Sequence, residues 1–155
     1  MKLEKASFAA GCFWGVQAAF DKIKGVIKTV VGYTEGDFKN PSYKKVCSGK
    51  TGHAEAILIE FNPEIVSYEK LLEIFWKIHD PTTINRQGPD VGSQYRSAIF
   101  YFNDKQRIKA LNSRDKEAKK YKNKIVTQIV KTKEFYPAED YHQKYYLTHT
   151  VVCHI

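Results

Sequence analysis

Cysteine is scarce in this chain: Cys12, Cys47 and Cys153 are the three it holds among 155 residues. An odd and sparse count excludes a secreted scaffold built on paired disulfides. No two of them lie at the short spacing of a structural zinc site. Such thiols are either buried filler or reactive groups. Long apolar runs are lacking as well. No stretch approaches the ~18 residues that a membrane-crossing helix needs, which excludes a spanning segment of that kind. Ala9-Ala10-Gly11-Cys12 has the look of a lipoprotein cleavage region. Only eleven residues precede Cys12, however, Glu4 and Lys5 among them, where an apolar signal stretch takes ~7–15. The expectation is a cytoplasmic protein with no membrane attachment. Repeats, low-complexity tracts and linkers are also missing, so residues 1–155 read as a single domain.

What the chain does have is aromatic bulk. With 10 Tyr, 9 Phe and 2 Trp, and 43% hydrophobic against 27% charged residues, it can bury one core and is not a disordered chain. Its net charge of +8 raises the question of an anionic partner. Much of that charge lies in Lys116, Lys119, Lys120, Lys122 and Lys124, with Asp115 and Glu117 interspersed, which is the pattern of a solvated helix face. No aromatic platform or nucleic-acid motif accompanies it, so nucleic acid is set aside as a partner. A monomer is expected.

Hydropathy periods divide the chain into alternating elements. Lys5–Ala10 reads as a short strand, broken at Gly11. Val16, Ala19, Phe20 and Ile23 then recur on one helical face, closed by Gly25. Val26–Tyr33 and Glu55–Phe61 are β-branched or alternating strands on either side of a long loop, 34–53. A second helix starts behind Ser67 as N-cap, with Tyr68, Leu71, Leu72, Phe75 and His79 on one face, and stops at Asp80-Pro81. After a second long loop, 80–95, come a strand at Arg96–Phe102, a charged helix at about 104–121, a strand at Ile125–Val130 and a last short helix at Ala138–Leu147. The order predicts an α+β fold: a ferredoxin-like β-α-β-β-α-β sheet with helices packed on it and an irregular C-terminal extension. The two long loops are dense in Tyr, Cys, His, Arg and Asp, and loops of that length are usually functional.

Two residues stand out for chemistry. Cys12 falls at the switch from strand to helix, where free amides and the positive dipole end stabilise a thiolate. A small buried residue at a tight turn is the plainer alternative. Phe13 and Trp14, bulky rings in a first turn flanked by Gly11 and Gly15, suit a pocket wall beside a nucleophile better than they suit core. Glu55 shares a strand face with Ile57, Ile59 and Phe61. If that face meets the helices, its carboxyl is desolvated, its pKa rises, and it becomes a general acid at neutral pH. If the strand end points to water, it is an ordinary carboxylate. Pattern alone leaves both open. Tyr43, Asp90 and Tyr95, at the ends of the two loops, say nothing singly.

Taken in order, these residues resemble a known family. Gly11-Cys12-Phe13-Trp14-Gly15 is similar to the nucleophile motif of the A-type peptide methionine sulfoxide reductases. Pro41-Ser42-Tyr43, Val46-Cys47-Ser48-Gly49 and Thr51-Gly52-His53-Ala54-Glu55-Ala56 resemble its second block. His79-Asp80-Pro81-Thr82-Thr83 with Asn85 through Ser97 resembles the third, and Phe135 through Gln143 the fourth. The resemblance implies Cys12 as the catalytic thiolate and Glu55 as the donor to the sulfoxide oxygen, with Tyr43 and Tyr95 as further donors. It also implies Phe13 and Trp14 around the substrate methyl group, and Asp90 holding a water. Cys153 would resolve the Cys12 sulfenic acid, and thioredoxin would recycle the enzyme. Substrates would be oxidised proteins and peptides carrying methionine S-sulfoxide. No cofactor and no metal are implied. His53 and Arg96 read as structural, and so does Cys47. The family's tail often carries a glycine-rich stretch with another cysteine, whereas Thr148-His149-Thr150-Val151-Val152 before Cys153 has no glycine, which makes a single resolving thiol the simplest scheme.

Two other classes compete. A cysteine hydrolase would pair Cys12 with His53 or His142 and add an oxyanion hole. A basic binding module would need no nucleophile at all.

Overall fold

Residues 2–145 are described by the computed structural model, and Cys153 lies outside them. Period-two alternation sorts the strands onto two faces. From β1 (Glu4–Ala10), Ala6, Phe8 and Ala10 point to one side and Ala9 to the other. From β3 (Ala54–Phe61), Ile57, Ile59 and Phe61 join the first side, while Ala54 and Ala56 join the second. The first side is the main core. Val16 and Phe20 of α1 (Phe13–Asp21) and Leu71, Leu72 and Phe75 of α3 (Tyr68–Lys77) close over it. Phe8 is its centre, with ring centroids 5.6 Å from Phe20 and 5.2 Å from Phe75. One fully buried phenyl ring of this kind contributes roughly 1.5–3 kcal/mol, and here it joins both helices to the sheet.

The strands form one mixed sheet. With β2 (Val26–Thr34), β6 (Ser97–Tyr101), β7 (Gln128–Lys131) and β8 (Phe135–Pro137), the order is β7-β6-β1-β3-β2-β8, and only the β6–β7 pair is parallel. A charged helix, α4 (Asp104–Ala118), packs against α3 and β6. The fold is α+β, as expected. The lysine run 116–124 is exposed, and Lys120 pairs with Glu117 at 3.2 Å. Among the described residues no helix is long and apolar enough to cross a membrane.

Several expected boundaries shift. The 34–53 loop contains a one-turn helix, α2 (Tyr43–Cys47), whose N-cap Ser42 accepts from the Lys45 amide at 3.2 Å. The 80–95 loop contains a two-stranded ribbon, β4 (Arg86–Gln87) with β5 (Asp90–Val91), and a 3-10 turn at Ser93–Tyr95. The charged helix stops at Ala118, three residues short of the expected end. Before 145, the expected last helix is replaced by β8 and a 3-10 turn at Asp140–His142. Two features account for that. Lys144 has φ +56°, a left-handed conformation that ends a helix. Gln143 turns its amide back onto β2, accepting from the Val31 amide at 3.0 Å and donating to the Val31 carbonyl at 2.9 Å, as a further strand residue would.

β8 docks where β2 has no side chain. A Cβ on Gly32 would stand 2.2 Å from the Tyr136 carbonyl oxygen. Gly32→Ala is therefore expected to push β8 off the sheet and destabilise the protein by roughly 1–3 kcal/mol, read as a lower urea midpoint. An unchanged midpoint would mean that β8 adds nothing to the fold.

Candidate active site

The loop that carries Cys12 is shaped by Gly11. Its φ of +95° is a left-handed conformation, and a Cβ there would meet the Gln87 side chain at 2.8 Å. The chain turns at this point from β1 into α1, leaving Cys12 as the N-cap residue and 8% exposed. The amide of Phe13, one of the unpaired donors of the first helical turn, donates to Glu55 Oε1 at 3.2 Å. That contact settles the question left open by the pattern. Glu55 lies on the helix-facing side of β3 and is 1% exposed.

The electrostatics of Glu55 follow from its position. Burial pushes its carboxyl up to about 8; the Phe13 amide opposes this, and the negative charge of Asp90 reinforces it. Oε1 is occupied, whereas Oε2 is buried with no hydrogen-bond partner. A neutral carboxyl that accepts at one oxygen carries its proton on the other. Glu55 is thus a buried acid with a proton to give, hydrogen-bonded to the residue that follows Cys12.

Around this pair stands an aromatic wall. Phe13 is buried, with centroids 5.7 Å from Tyr33 and 6.3 Å from Tyr43. Trp14 is half-buried, stacked on Tyr145 at 4.0 Å and 6.3 Å from Tyr43. Tyr43 opens α2, and Tyr95 closes the 3-10 turn of the second loop. Their hydroxyls and the Cys47 thiol act on one another electrostatically. Burial, then the charge of Glu55, raises both phenols above their ordinary range, so both stay protonated donors. Asp90 on β5 is half-buried and acts on Glu55 and Tyr95 through its charge. The structure thus gathers Cys12, Phe13, Trp14, Tyr43, Glu55, Asp90 and Tyr95.

Two residues of this neighbourhood, Glu139 and Gln87, escape the sequence reading, and a third, His142, has a role other than the base that the hydrolase alternative offers. Glu139 accepts from the Tyr33 hydroxyl at 2.9 Å and from the Tyr43 amide at 3.1 Å, fixing the start of α2. Desolvation works to raise Glu139, but these bonds and its own amide hold it below the usual carboxylate range. Gln87 donates to the Asp80 carbonyl and accepts from the Asp80 amide at 2.9 Å, so its stem is braced against Gly11. His142 is 1% exposed and accepts from Trp14 Nε1 at 2.9 Å. All three lie inside the motif blocks, but their roles are tertiary and no local pattern announces them.

His53 spends both ring nitrogens on the first loop, accepting from the Gly36 amide at 3.1 Å and donating to the Phe38 carbonyl at 2.6 Å. Arg96 ties three segments together, donating to Gln128 Oε1 and to the carbonyls of Ser93 and Gly52. Cys47 is exposed. Desolvation on its inner side raises its thiol, and the hydroxyls of Tyr43 and Tyr95 pull the other way. A hydrolase reading of Cys12 therefore finds His53 engaged elsewhere and the Nδ1 lone pair of His142 taken by Trp14.

Comparison with known proteins agrees with this chemistry. The family model for peptide methionine sulfoxide reductase matches residues 4–155. The peptide methionine sulfoxide reductase MsrA of Methanosarcina mazei is 61% identical over 146 residues, 93% of this chain and 69% of that protein. Among solved structures, Mxr1 from Saccharomyces cerevisiae in reduced form superposes with a TM-score of 0.88 at 39% identity, covering 93% of this chain and 84% of that one. The same yeast protein in complex with Trx2 aligns at 27% identity and a TM-score of 0.68, over 93% of this chain and 85% of that one.

Proposed function

The chain belongs to the peptide methionine sulfoxide reductase family, and from that premise we propose how its own residues reduce methionine S-sulfoxide, free or in peptides and oxidised proteins. It is an oxidoreductase, a peptide-methionine (S)-S-oxide reductase. The observation that carries the residue assignment is the buried, protonated Glu55 beside Cys12, with Oε1 on the Phe13 amide and Oε2 buried without a hydrogen-bond partner.

The step runs as follows. The Cys12 thiolate, favoured by the N-terminus of α1, attacks the sulfoxide sulfur. Glu55 gives its proton to the sulfoxide oxygen, with Tyr43 and Tyr95 donating hydrogen bonds, so the negative charge building there is neutralised. Phe13 and Trp14 hold the terminal methyl group, and Asp90 orders a water at the pocket. The substrate sulfur leaves as the thioether, two electrons richer, and Cys12 is left as a sulfenic acid carrying the oxygen. The Cys153 thiol then displaces that oxygen as water, forming a Cys12–Cys153 disulfide. A thioredoxin dithiol reduces it, in keeping with the Trx2 complex of the yeast relative. The reading is of a single domain over residues 1–155, a cytoplasmic monomer, with no cofactor in any step. The antiparallel order β6-β1-β3-β2 supports reading its centre as a ferredoxin-like unit.

Recycling has its own test. Cys153→Ser is expected to leave the first turnover intact and to stop multiple turnovers driven by thioredoxin. Dithiothreitol, small enough to reach the sulfenic acid, should partly restore them. Peptide mapping of substrate-oxidised enzyme should give a Cys12–Cys153 link. A Cys12–Cys47 link, or none, would remove Cys153 from the scheme and leave the reductase chemistry standing.

A further inference from the structure

Trp14 is tied to the fold by a single hydrogen bond from its ring. Its indole N–H donates to His142 Nδ1 at 2.9 Å. An indole nitrogen only donates, so Nδ1 is bare and neutral His142 carries its proton on Nε2. That second nitrogen is buried with no partner. The imidazole is 1% exposed and lies among aromatic rings: Phe13 at 5.3 Å, Tyr43 at 4.4 Å and Tyr141 at 4.0 Å between centroids. A phenyl ring would fill this space without leaving an N–H unsatisfied, which is a real cost in a buried position. What the imidazole adds is one acceptor, aimed at the edge of Trp14.

That acceptor has a use. Trp14 is otherwise held by stacking, on Tyr145 at 4.0 Å with an interplanar angle of 9° and on His142 itself at 5.6 Å. Stacked rings slide and turn in their own plane at little cost, whereas a hydrogen bond at the ring edge fixes the rotation. The acceptor itself stands on firm ground. The His142 amide donates to the Glu139 carbonyl at 2.9 Å, and the next residue, Gln143, is bonded to both the amide and the carbonyl of Val31. We propose that His142 is a positioning residue that sets the angle of the Trp14 indole through Nδ1, and so shapes the slot that receives the substrate's methyl group. The inference rests on the role given above to Trp14, and it adds a residue that touches no reacting atom.

Two variants separate this role from simple packing. His142→Phe keeps the ring and removes the acceptor; His142→Asn places an amide oxygen near the position of Nδ1. In single-turnover assays with a methionine sulfoxide peptide, His142→Phe is expected to raise the half-saturating concentration about tenfold, with the saturated rate within about threefold of wild type. His142→Asn should recover most of the loss. In a Trp14→Phe background, which has no indole N–H, His142→Phe should have no further effect on half-saturation. An NMR readout needs no turnover: the Trp14 indole proton should exchange slowly in wild type and His142→Asn, and quickly in His142→Phe. The Trp76 indole, bonded to Ser113 at 2.8 Å, is the internal control. An active wild type with an unshifted half-saturation in His142→Phe, additive effects in the double variant, or an Asn variant as impaired as the Phe variant would each overturn the positioning role. A wild type without sulfoxide reduction would sink the reductase reading, while the indole exchange rates would still decide whether His142 holds Trp14.

Discussion

Cys12→Ser is expected to abolish sulfoxide reduction with every reductant, thioredoxin and dithiothreitol alike, while the protein stays folded. The reaction needs a polarisable nucleophile that is substantially ionised at neutral pH and that survives as a sulfenic acid. A serine hydroxyl meets neither condition, so a loss on the order of 10⁴-fold or more is expected. The fold should hardly notice. Cys12 is a small N-cap side chain, serine is nearly isosteric and a favourable N-cap residue, and a change within about 1 kcal/mol corresponds to roughly 2–4 °C in Tm for a chain of this size. The measurement is a single-turnover assay for methionine formation, beside a thermal melt. Methionine produced at even a hundredth of the wild-type rate by a folded Ser variant would show that another group attacks the sulfur.

Much of this arrangement is legible in the sequence, and the parts that are not share a physical cause. Local period sufficed for β1, α1, β3 and α3. Ser67 does cap α3, accepting from the Lys70 amide at 3.1 Å. The alternation of Glu55 with Ile57, Ile59 and Phe61 correctly offered the helix-facing side, but a two-residue period cannot distinguish a strand end in the core from one in water. Only the Phe13–Glu55 contact, across 42 residues, decides it. The long loops failed in the other direction. Their glycines and polar residues read as irregular, yet α2 forms where Glu139 accepts from the Tyr43 amide across 96 residues, Gln87 of the ribbon braces the loop start at Asp80, and Arg96 ties the second loop to the Gly52 carbonyl of the first. The expected last helix failed for the same reason. Residues 138–145 have helical composition, but Gln143 and Ala138 find better partners on the edge of β2. As a sequence His142 offers a base for Cys12, and the structure gives its Nδ1 lone pair to Trp14. Side chains whose role is to hold another side chain carry no local signal.

Glu55→Gln should separate catalysis from stability in opposite directions. Glutamine keeps the shape and can still accept from the Phe13 amide, so substrate binding should persist. What is lost is the proton, and the step that forms the sulfenic acid should slow by about 10²–10⁴-fold. The pH profile gives a second, independent reading. Because burial first, and Asp90 after it, hold the Glu55 carboxyl at about 8, the wild-type single-turnover rate should fall as pH rises through that value and the donor is lost. In the Gln variant this descending limb should vanish, leaving only the rise due to Cys12 ionisation. Stability moves the other way. Between the ordinary carboxylate range and about 8, the folded protein keeps a proton on Glu55 that the unfolded chain has released. The native state binds more protons across this window, so wild-type stability falls as pH rises through it and then levels off. Glutamine has no such titration. The variant should therefore gain stability relative to wild type on going from pH 5 to pH 8.5, seen as a growing difference in urea midpoint. A Gln variant with an undiminished single-turnover rate would remove Glu55 from the chemistry. One that is slow but shows no pH-dependent gain in stability would mean that the carboxyl is an acid catalyst without being the desolvated group that its burial implies.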